Sequence, residues 1–505
     1  MGPSEFTGIF AASLKLDAQS SFYILTHPNM KSPQPHLPWL SGHRNAALRW
    51  SQQVHRRSIL RLGGLSLLGL STPRLLRAEE QGRGSGKIPV RAKSVIFLFQ
   101  WGGPSSIDMF DMKPNAPDTI RSPYNPIASS APGIEVCEHL PEMSKRMHHV
   151  ALIRTMTHKM KNHASAGYYA LTGHEPPSDD QRLRDSLDLY PAYGSVVDHL
   201  SPSDPSLPTF VSYPYRISDG SVVPGQHASF LGKQHDPLFF NTDPAKDDFR
   251  LPELQLPAGV DLDRLMRRRS LQKLIDQQRR LIDHAESAVT LDRYYERAIA
   301  MLQSDRLQKA FSLENESAEL RDRYGRHTYG QSCLLARRLV EAGIKFVTVY
   351  FSPSIGGQKT TEGGWDTHGF NNTRMYNIVD KYHLPITDQT LPTLLDDLSD
   401  RGLLDETLVV WMGEFGRTPK INDNKSRDHW PDCYTALLAG GGCKKGYVYG
   451  ASDKHCAYPA ESPVRPEDLA ATIYYLMGID PATEIMDRNS RPLVIGGNPV
   501  LDLIA

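Results

Sequence analysis

Apolar runs and amphipathic stretches alternate along most of the chain. The runs Ser94–Gln100 and Thr407–Met412 are almost continuously apolar, which is typical of strands that are buried on both faces of a parallel sheet. Stretches with helical spacing lie between such runs, so we predict an α/β fold with a mostly parallel sheet covered by helices. The predicted strands are Ser94–Gln100, Val150–Arg154, Pro208–Tyr213, Lys345–Phe351 and Thr407–Met412, and the predicted helices are Ala164–Leu171, Pro191–Leu200, Ser332–Ala342, Leu391–Arg401 and Asp468–Met477.

A long and highly charged helical pattern interrupts this alternation between about residues 261 and 325. Leu265, Leu271 and Leu274 recur on one face of a helix, and the basic run Arg267–Arg269 falls on the solvated side. We interpret this region as a helical insertion or cap rather than as a surface for nucleic acid.

The N-terminal region carries the features of an export signal. Arg56 and Arg57 precede the moderately apolar run Leu62–Leu70, which is shorter than the ~20 apolar residues that a spanning helix needs. We therefore predict twin-arginine export to the periplasm or the extracellular space, with Met30 as an alternative start. Residues 1–87 are the predicted extension, signal and linker, and residues 88–505 the mature domain.

Composition narrows the range of functions. The chain has 505 residues with 57 basic and 57 acidic side chains, so no basic excess points to a nucleic-acid partner. An apolar content of 39% is ordinary for a globular protein, and the length allows either one large α/β domain with insertions or two domains. The five cysteines form no CxxC pair, which argues against a zinc–thiolate site and leaves up to two disulfides of unassigned pairing.

Acidic residues and histidines are concentrated on glycine-rich loops near the ends of predicted strands. Open α/β sheets bind ligands at the carboxyl ends of their strands, so we predict a site on these loops. A set of imidazole and carboxylate ligands favours zinc or manganese, whereas an all-oxygen set would suit calcium or magnesium. The residues concerned are Asp366, His368, Glu414, Asp428 and His429.

Four segments of the chain follow one another in the order Phe99–Ser105, Gly364–His368, Gly413–Pro419 and Arg427–Trp430. Together they resemble a bacterial domain-of-unknown-function family, number 1501, which is exported by the twin-arginine route and is abundant in planctomycetes. The family belongs to the alkaline phosphatase/sulfatase superfamily. The resemblance covers roughly residue 88 to the C-terminus, and it implies an alkaline phosphatase-like three-layer α/β sandwich that binds a divalent metal.

The resemblance also implies roles for individual residues. Asp366, His368 and His429 match the aspartate and two histidines that bind one metal ion in phosphatases and phosphomutases of the superfamily. The segment that ends at Thr172-Gly173 resembles the nucleophile helix of sulfatases, with His163 where the nucleophile would stand. Glu414 matches the carboxylate ligand that follows a later strand.

The sequence departs from the superfamily pattern at the second metal position. Gln100 and Trp101 replace the aspartate expected after the first strand, and Phe415 replaces a ligand. Arg417 is expected either to hold an anionic group bidentately or to form an ion pair with a neighbour. Further candidates are Asp108, Asp111 and Asp428 as metal ligands, and Ser105, Ser106 and Ser165 as nucleophiles.

Three functional hypotheses remain open. The first is an exported hydrolase of sulfate or phosphate esters, including sulfated or phosphorylated carbohydrates, in which His163, Glu414 and Arg417 act in catalysis. The second is a non-catalytic envelope or binding protein that retains the fold. The third is a phosphoryl-transfer enzyme that uses His163 covalently.

Overall fold

The computed structural model of the chain describes residues 88–251, 267, 296–353, 363–369 and 375–505. The predicted export signal and most of the predicted helical insertion lie outside these residues. The C-terminal part of the insertion is described, and it is helical over residues 296–302 and in two later helices.

Strands and helices alternate along the described chain. The strands are β1 (Ser94–Phe99), β2 (Pro126–Ala128), β3 (Glu135–Cys137), β4 (Val150–Met156), β5 (Phe210–Tyr213), β6 (Leu238–Phe239), β7 (Phe346–Tyr350), β8 (Thr407–Met412), β9 (Gly416–Arg417), β10 (His429–Trp430), β11 (Tyr434–Ala439), β12 (Tyr447–Tyr449), β13 (Ala451–Ser452), β14 (Pro459–Glu461), β15 (Glu484–Met486) and β16 (Pro492–Val494). The helices are α1 (Pro141–Ser144), α2 (His163–Thr172), α3 (Tyr193–Leu200), α4 (Asp305–Phe311), α5 (Ala318–Tyr324), α6 (Thr328–Glu341), α7 (Tyr376–Ile378), α8 (Leu384–Asp400) and α9 (Pro466–Leu476).

Eight strands form one central sheet in the order β12-β4-β11-β8-β1-β7-β5-β6. Strand β11 runs antiparallel to its neighbours β4 and β8, and the other pairings in the sheet are parallel. Strands β1 and β8 are buried at every position, which explains why their sequences are continuously apolar. The predicted mostly parallel sheet is therefore confirmed.

Hydrophobic cores cover both faces of this sheet. Alternate residues of β1 point in opposite directions, so that Ile96 and Leu98 join one core while Val95 and Phe97 join the other. Helices α6 and α8 pack on the first face, and α3 and α9 pack on the second. These three layers confirm the predicted sandwich architecture.

All ten predicted strands and helices occur in the structure, but some of their bounds differ, and strands β6, β11 and β12 of the central sheet were not predicted. Helix α8 begins at Leu384, before the predicted Leu391, because burial of Leu384 and Leu391 outweighs the tendency of Pro392 to start a helix. Strand β11 was not predicted, although its apolar sequence runs directly into the glycines that follow Ala439.

Two further expectations concern the cysteines and the membrane. All five cysteines are buried free thiols in this structure. Within the described part of the chain, no helix has both the length and the apolar character required to cross a bilayer.

Acidic pH is expected to destabilise the fold through His174. Its ring stacks on Tyr190 with 3.4 Å between centroids, and burial lowers the pKa of His174 to about 4 although Nε2 donates to the carbonyl oxygen of Ile495. Between pH 6.5 and about 4 the unfolded chain binds a proton that the folded chain does not, so stability falls as the pH falls.

We predict that His174→Gln removes this contribution. Urea unfolding between pH 4 and 7.5 should show a dependence of unfolding free energy on pH that is weaker by about 1.4 kcal/mol per pH unit. An unchanged dependence would contradict the burial of a neutral imidazole at this position.

Candidate metal centre

The candidate centre lies beside the carboxyl ends of β1 and β8. These strands are parallel neighbours, so the residues that follow Phe99 and Met412 emerge at the same edge of the sheet. The segment 363–369 lies beside them and forms a hydrogen bond of 2.8 Å from the Trp365 N–H to the Trp101 carbonyl oxygen. The N-terminus of α2 supplies His163, and β10 supplies His429.

One cluster of potential metal ligands lies at this edge. Ligand atoms of His163, Asp366 and His429 all lie within 4.8 Å of one another, and among the described residues no other group of this kind occurs. The Nε2 atom of His429 is 2.8 Å from Oδ1 of Asp366, and that of His163 is 3.4 Å from the same oxygen. His368 approaches the other carboxylate oxygen, with Nε2 3.0 Å from Oδ2.

Hydrogen bonds on the far side of two rings determine which nitrogens can bind a metal. The Nδ1 atom of His429 is 2.9 Å from the carbonyl oxygen of Lys161, which can only accept, so Nδ1 carries the proton. The Nδ1 atom of His163 is 2.8 Å from Oε1 of Glu414. Both rings therefore direct Nε2 towards Asp366, and the buried Nε2 of His163 makes no well-aligned hydrogen bond, although Oδ1 of Asp366 lies 3.4 Å away.

These residues fit a divalent cation. Two imidazole nitrogens and a carboxylate form a mixed ligand set that suits zinc or manganese, and the orphaned nitrogen of His163 lacks any other partner. A hydrogen bond from the outer nitrogen to a carboxylate or carbonyl is the usual support for a metal-binding histidine. The side chains of His368 and His429 are 19% and 24% exposed, so the cluster is open on one side.

The charges around the cluster are strongly coupled. Burial by itself would raise the pKa of Asp366, but Arg417 and the neighbouring histidines outweigh it and hold this pKa well below its ordinary range. Burial lowers the pKa of His429 to about 4. Burial would also lower the pKa of His163, yet the carboxylates of Asp366 and Glu414 raise it to about 9, so a metal at Nε2 would displace a proton.

Glu414 lies behind the cluster. It is fully buried, and the backbone N–H of Gly102 donates to both of its carboxylate oxygens at 2.8 and 3.1 Å. Gly102 has a φ of +104°, and a Cβ atom there would lie 2.3 Å from the backbone nitrogen of Asp366. This close approach explains the glycine after β1. Glu414 itself contacts the cluster through Nδ1 of His163, which lies 2.8 Å from its Oε1 atom.

Arg417 connects the loops of the centre. Its Nη2 atom lies 2.9 Å from Oδ1 of Asp366 and 3.0 Å from the carbonyl oxygen of Trp365. The same guanidinium also donates to the carbonyl oxygens of Gly102 and Gly103. The side chain is 1% exposed, and its ion pair with Asp366 agrees with the second of the two expectations for Arg417.

An aromatic and an amide side chain stand at the two positions where the resemblance predicted further ligands. Phe415 stacks on the ring of His429 at 4.4 Å between centroids and lies 5.1 Å from that of His163. Gln100 donates to the Tyr329 hydroxyl at 3.0 Å and accepts from Trp365 Nε1 at 3.3 Å, so its amide is engaged elsewhere.

The other candidate ligands and nucleophiles lie outside this cluster. Asp108 forms a fully buried ion pair with Arg427, with 2.8 Å between Oδ2 and Nε, and Asp428 is exposed and accepts from Asn422. Asp111 pairs with Lys113 at 2.9 Å. The hydroxyls of Ser105, Ser106 and Ser165 bond to Asp108, the Thr435 N–H, and the Asn162 carbonyl with Asp179, respectively.

Two groups at the centre carry no signal in the sequence. The carbonyl oxygen of Lys161 and the N–H of Gly102 are backbone atoms, which every residue type offers. Only the fold brings them to His429 and Glu414. The glycines after β1 are compatible with a close approach of another backbone, but they do not indicate which partner approaches.

A protein-family comparison identifies the relatives of this chain. Residues 92–504 match the family described as "Protein of unknown function (DUF1501)". The chain belongs to this family. The predicted family is thus confirmed over most of the chain, whereas no curated protein matches it.

Solved structures with a related arrangement are distant from this DUF1501 member. The lipoteichoic acid synthase LtaP from Listeria monocytogenes is 12% identical with a TM-score of 0.36, and the alignment covers 81% of this chain and 76% of that one. The PsFucS1 sulfatase from Pseudoalteromonas sp. is 12% identical with a TM-score of 0.35, covering 90% and 76%. The zinc complex of the C-terminal periplasmic domain of EcEptC from Escherichia coli is 10% identical with a TM-score of 0.35, covering 83% and 97%.

The Asp108–Arg427 pair leads to a prediction about stability. Both side chains are 0% exposed, so Asp108→Asn leaves a buried guanidinium without its counter-charge. We expect a loss of about 3–5 kcal/mol in the free energy of unfolding, measured by urea titration. The matched control Asp118→Asn breaks an ion pair whose carboxylate is 87% exposed and should change stability little. A small effect of Asp108→Asn would contradict the pairing.

The third prediction concerns Glu414. Glu414→Gln removes the charge that orients the Nδ1–H of His163, and we expect the affinity for zinc or manganese to fall about 10- to 100-fold. Competition with a chelating dye measures this affinity. Glu406→Gln is the control, because Glu406 is half-exposed and pairs with Lys93. Equal affinities in the two variants would show that Glu414 does not support the metal ligand.

Proposed function

We propose that this protein is an exported, divalent-metal-dependent hydrolase of sulfate or phosphate esters. His163, Asp366 and His429 hold one metal ion, with His368 at the open edge of the site. The observation that supports this most directly is the convergence of two imidazole nitrogens on one oxygen of Asp366, while the opposite nitrogens are already engaged as donors. Without a cation, the lone pairs of the two Nε2 atoms face the lone pairs of the Asp366 oxygen, unless each Nε2 atom carries a proton.

Zinc or manganese is the proposed ion, and calcium or magnesium fits the two imidazoles less well. A divalent ion bound here supplies Lewis acidity, which polarises an ester oxygen and acidifies water. Arg417 keeps Asp366 ionised, and Glu414 accepts from Nδ1 of His163, which directs Nε2 of this ring towards the ion position. His368 is the partly exposed group that can exchange a proton with a substrate at the edge of the site.

The proposed substrate is a small anionic ester or a sulfated or phosphorylated carbohydrate. Export rests on the paired arginines and the apolar run at residues 56–70, which lie outside the described residues. An exported hydrolase of this type would meet such esters outside the cytoplasm. Nucleic acid is not a proposed partner, because the chain has no basic excess.

A specific observation favours a second candidate function, a non-catalytic metal-binding protein. Phe415 and Gln100 occupy the places where a second ion would need ligands, and Phe415 packs its ring against both metal-binding histidines. The third hypothesis, covalent phosphoryl transfer by His163, fits the geometry less well. One nitrogen of this buried ring bonds Glu414, and the other faces a carboxylate, which repels a phosphoryl group.

One experiment separates the two candidates. We expect the purified mature protein to bind about one zinc or manganese ion, and Asp366→Ala or His429→Ala to lower the affinity more than 100-fold, beyond the range of about 10- to 100-fold for outer-shell residues. A panel of aryl sulfates and aryl phosphates should reveal hydrolysis that a chelator removes and added metal restores. Tight metal binding without turnover would favour the binding protein. Hydrolysis that survives both chelation and His429→Ala would exclude the metal-dependent reaction.

A further inference from the structure

Asp179, on the loop after α2, forms hydrogen bonds with the segment that leads into this helix. Its Oδ2 atom accepts from the backbone N–H of Lys161 at 3.0 Å, and its Oδ1 atom accepts from that of Asn162 at 3.1 Å. The Asn162 amide and the Ser165 hydroxyl donate to the same Oδ1 atom at 3.0 and 2.6 Å. An exposed carboxylate thus receives four hydrogen bonds from one short segment.

One of these hydrogen bonds involves the peptide group whose carbonyl oxygen binds His429. The carbonyl of Lys161 and the N–H of Asn162 belong to one planar peptide unit and point in opposite directions. Asp179 holds the N–H side of this unit, and the Nδ1–H of His429 bonds the carbonyl side at 2.9 Å. Fixing one side of the plane therefore fixes the direction in which His429 presents Nε2 to Asp366.

The same carboxylate also acts on His163. Asn162 precedes α2 and makes no side-chain capping bond to the helix, whereas Asp179 binds Asn162 and Ser165 on either side of His163. A carboxylate at a helix N-terminus is also favoured by the helix dipole. Asp179 therefore restrains the first turn of the helix that carries His163.

We propose that Asp179 is a positioning residue of the metal centre, which it supports through the Lys161–Asn162 peptide without touching the cluster. This inference rests on the proposed metal site and adds to it a residue that lies on a surface loop. Its role is to set the orientation of His429, and through the start of α2 that of His163. A residue that only capped α2 would affect stability and leave the geometry of the metal ligands unchanged.

Graded variants test this role. Asp179→Ala removes every contact of the carboxylate, whereas Asp179→Asn keeps the shape but leaves at least one N–H facing another donor. We expect the affinity for zinc, measured by competition with a chelating dye, to fall about tenfold for Asp179→Ala and less for Asp179→Asn. The control is Asp180→Ala, because Asp180 bonds the backbone and side chain of Arg182 instead.

Two readouts separate positioning from simple stabilisation. The first is the visible absorption spectrum of the cobalt(II)-loaded protein at saturating metal, which reports the arrangement of the ligands and should change in Asp179→Ala but not in Asp180→Ala. The second is the thermal unfolding of the metal-free variants, which shows how much of any effect is a loss of stability alone.

The outcomes distinguish this inference from the proposed function. Weaker binding together with an altered cobalt spectrum supports the inference. Wild-type affinity and spectrum in Asp179→Ala overturn it and leave the metal site in place, even if the metal-free variant unfolds at a lower temperature. If the wild-type protein binds neither zinc nor cobalt, the proposed function fails, and the inference fails with it.

Discussion

The buried carboxylate of Asp366 is the group on which the candidate centre depends. A negative charge removed from water is strongly unfavourable unless positive or donating groups surround it. Arg417 and the Nε2 atoms of three histidines surround this carboxylate at 2.8 to 3.4 Å. Arg417 alone offers a permanent charge among them, because the histidines can be either protonated or metal-bound. The negative charge of Asp366 therefore favours a positive charge, either a proton or a metal ion, on the ring of His163.

This constraint also explains how the surrounding loops are held. Arg417 joins Asp366 to the carbonyl oxygens after β1, and Glu414 joins the Gly102 N–H to His163. The contacts of Arg417 with Gly103, of Glu414 with Gly102 and of Glu414 with His163 each join residues more than 200 positions apart. The centre therefore depends on the pairing of β1 with β8. The sheet fixes the ends of the strands, and the buried charges fix the loops. Together they hold the residues of the candidate metal centre in place.

The structure shows what Phe415 and Gln100 do at the two positions where the resemblance predicted further ligands. Phe415 covers the faces of two histidines, and the amide of Gln100 bonds Tyr329 and Trp365. The serine hydroxyls that could have acted as nucleophiles bond other protein groups. Among the described residues, one group at this centre could therefore hold an ion.

The amino-acid sequence by itself determined the fold class, because burial on both faces of a strand requires the continuously apolar runs that the sheet confirms in β1 and β8. It also indicated Asp366, His368 and His429 as potential ligands and His163 as a catalytic residue, whereas the structure brings His163 together with Asp366 and His429. Only the tertiary structure decided which of the candidates meet. Asp108 is as acidic as Asp366, yet it pairs with Arg427, and the supports of the histidines are backbone groups whose hydrogen bonding no side-chain pattern records. Proximity across hundreds of residues is a property of the packed chain, and residue type alone does not contain it.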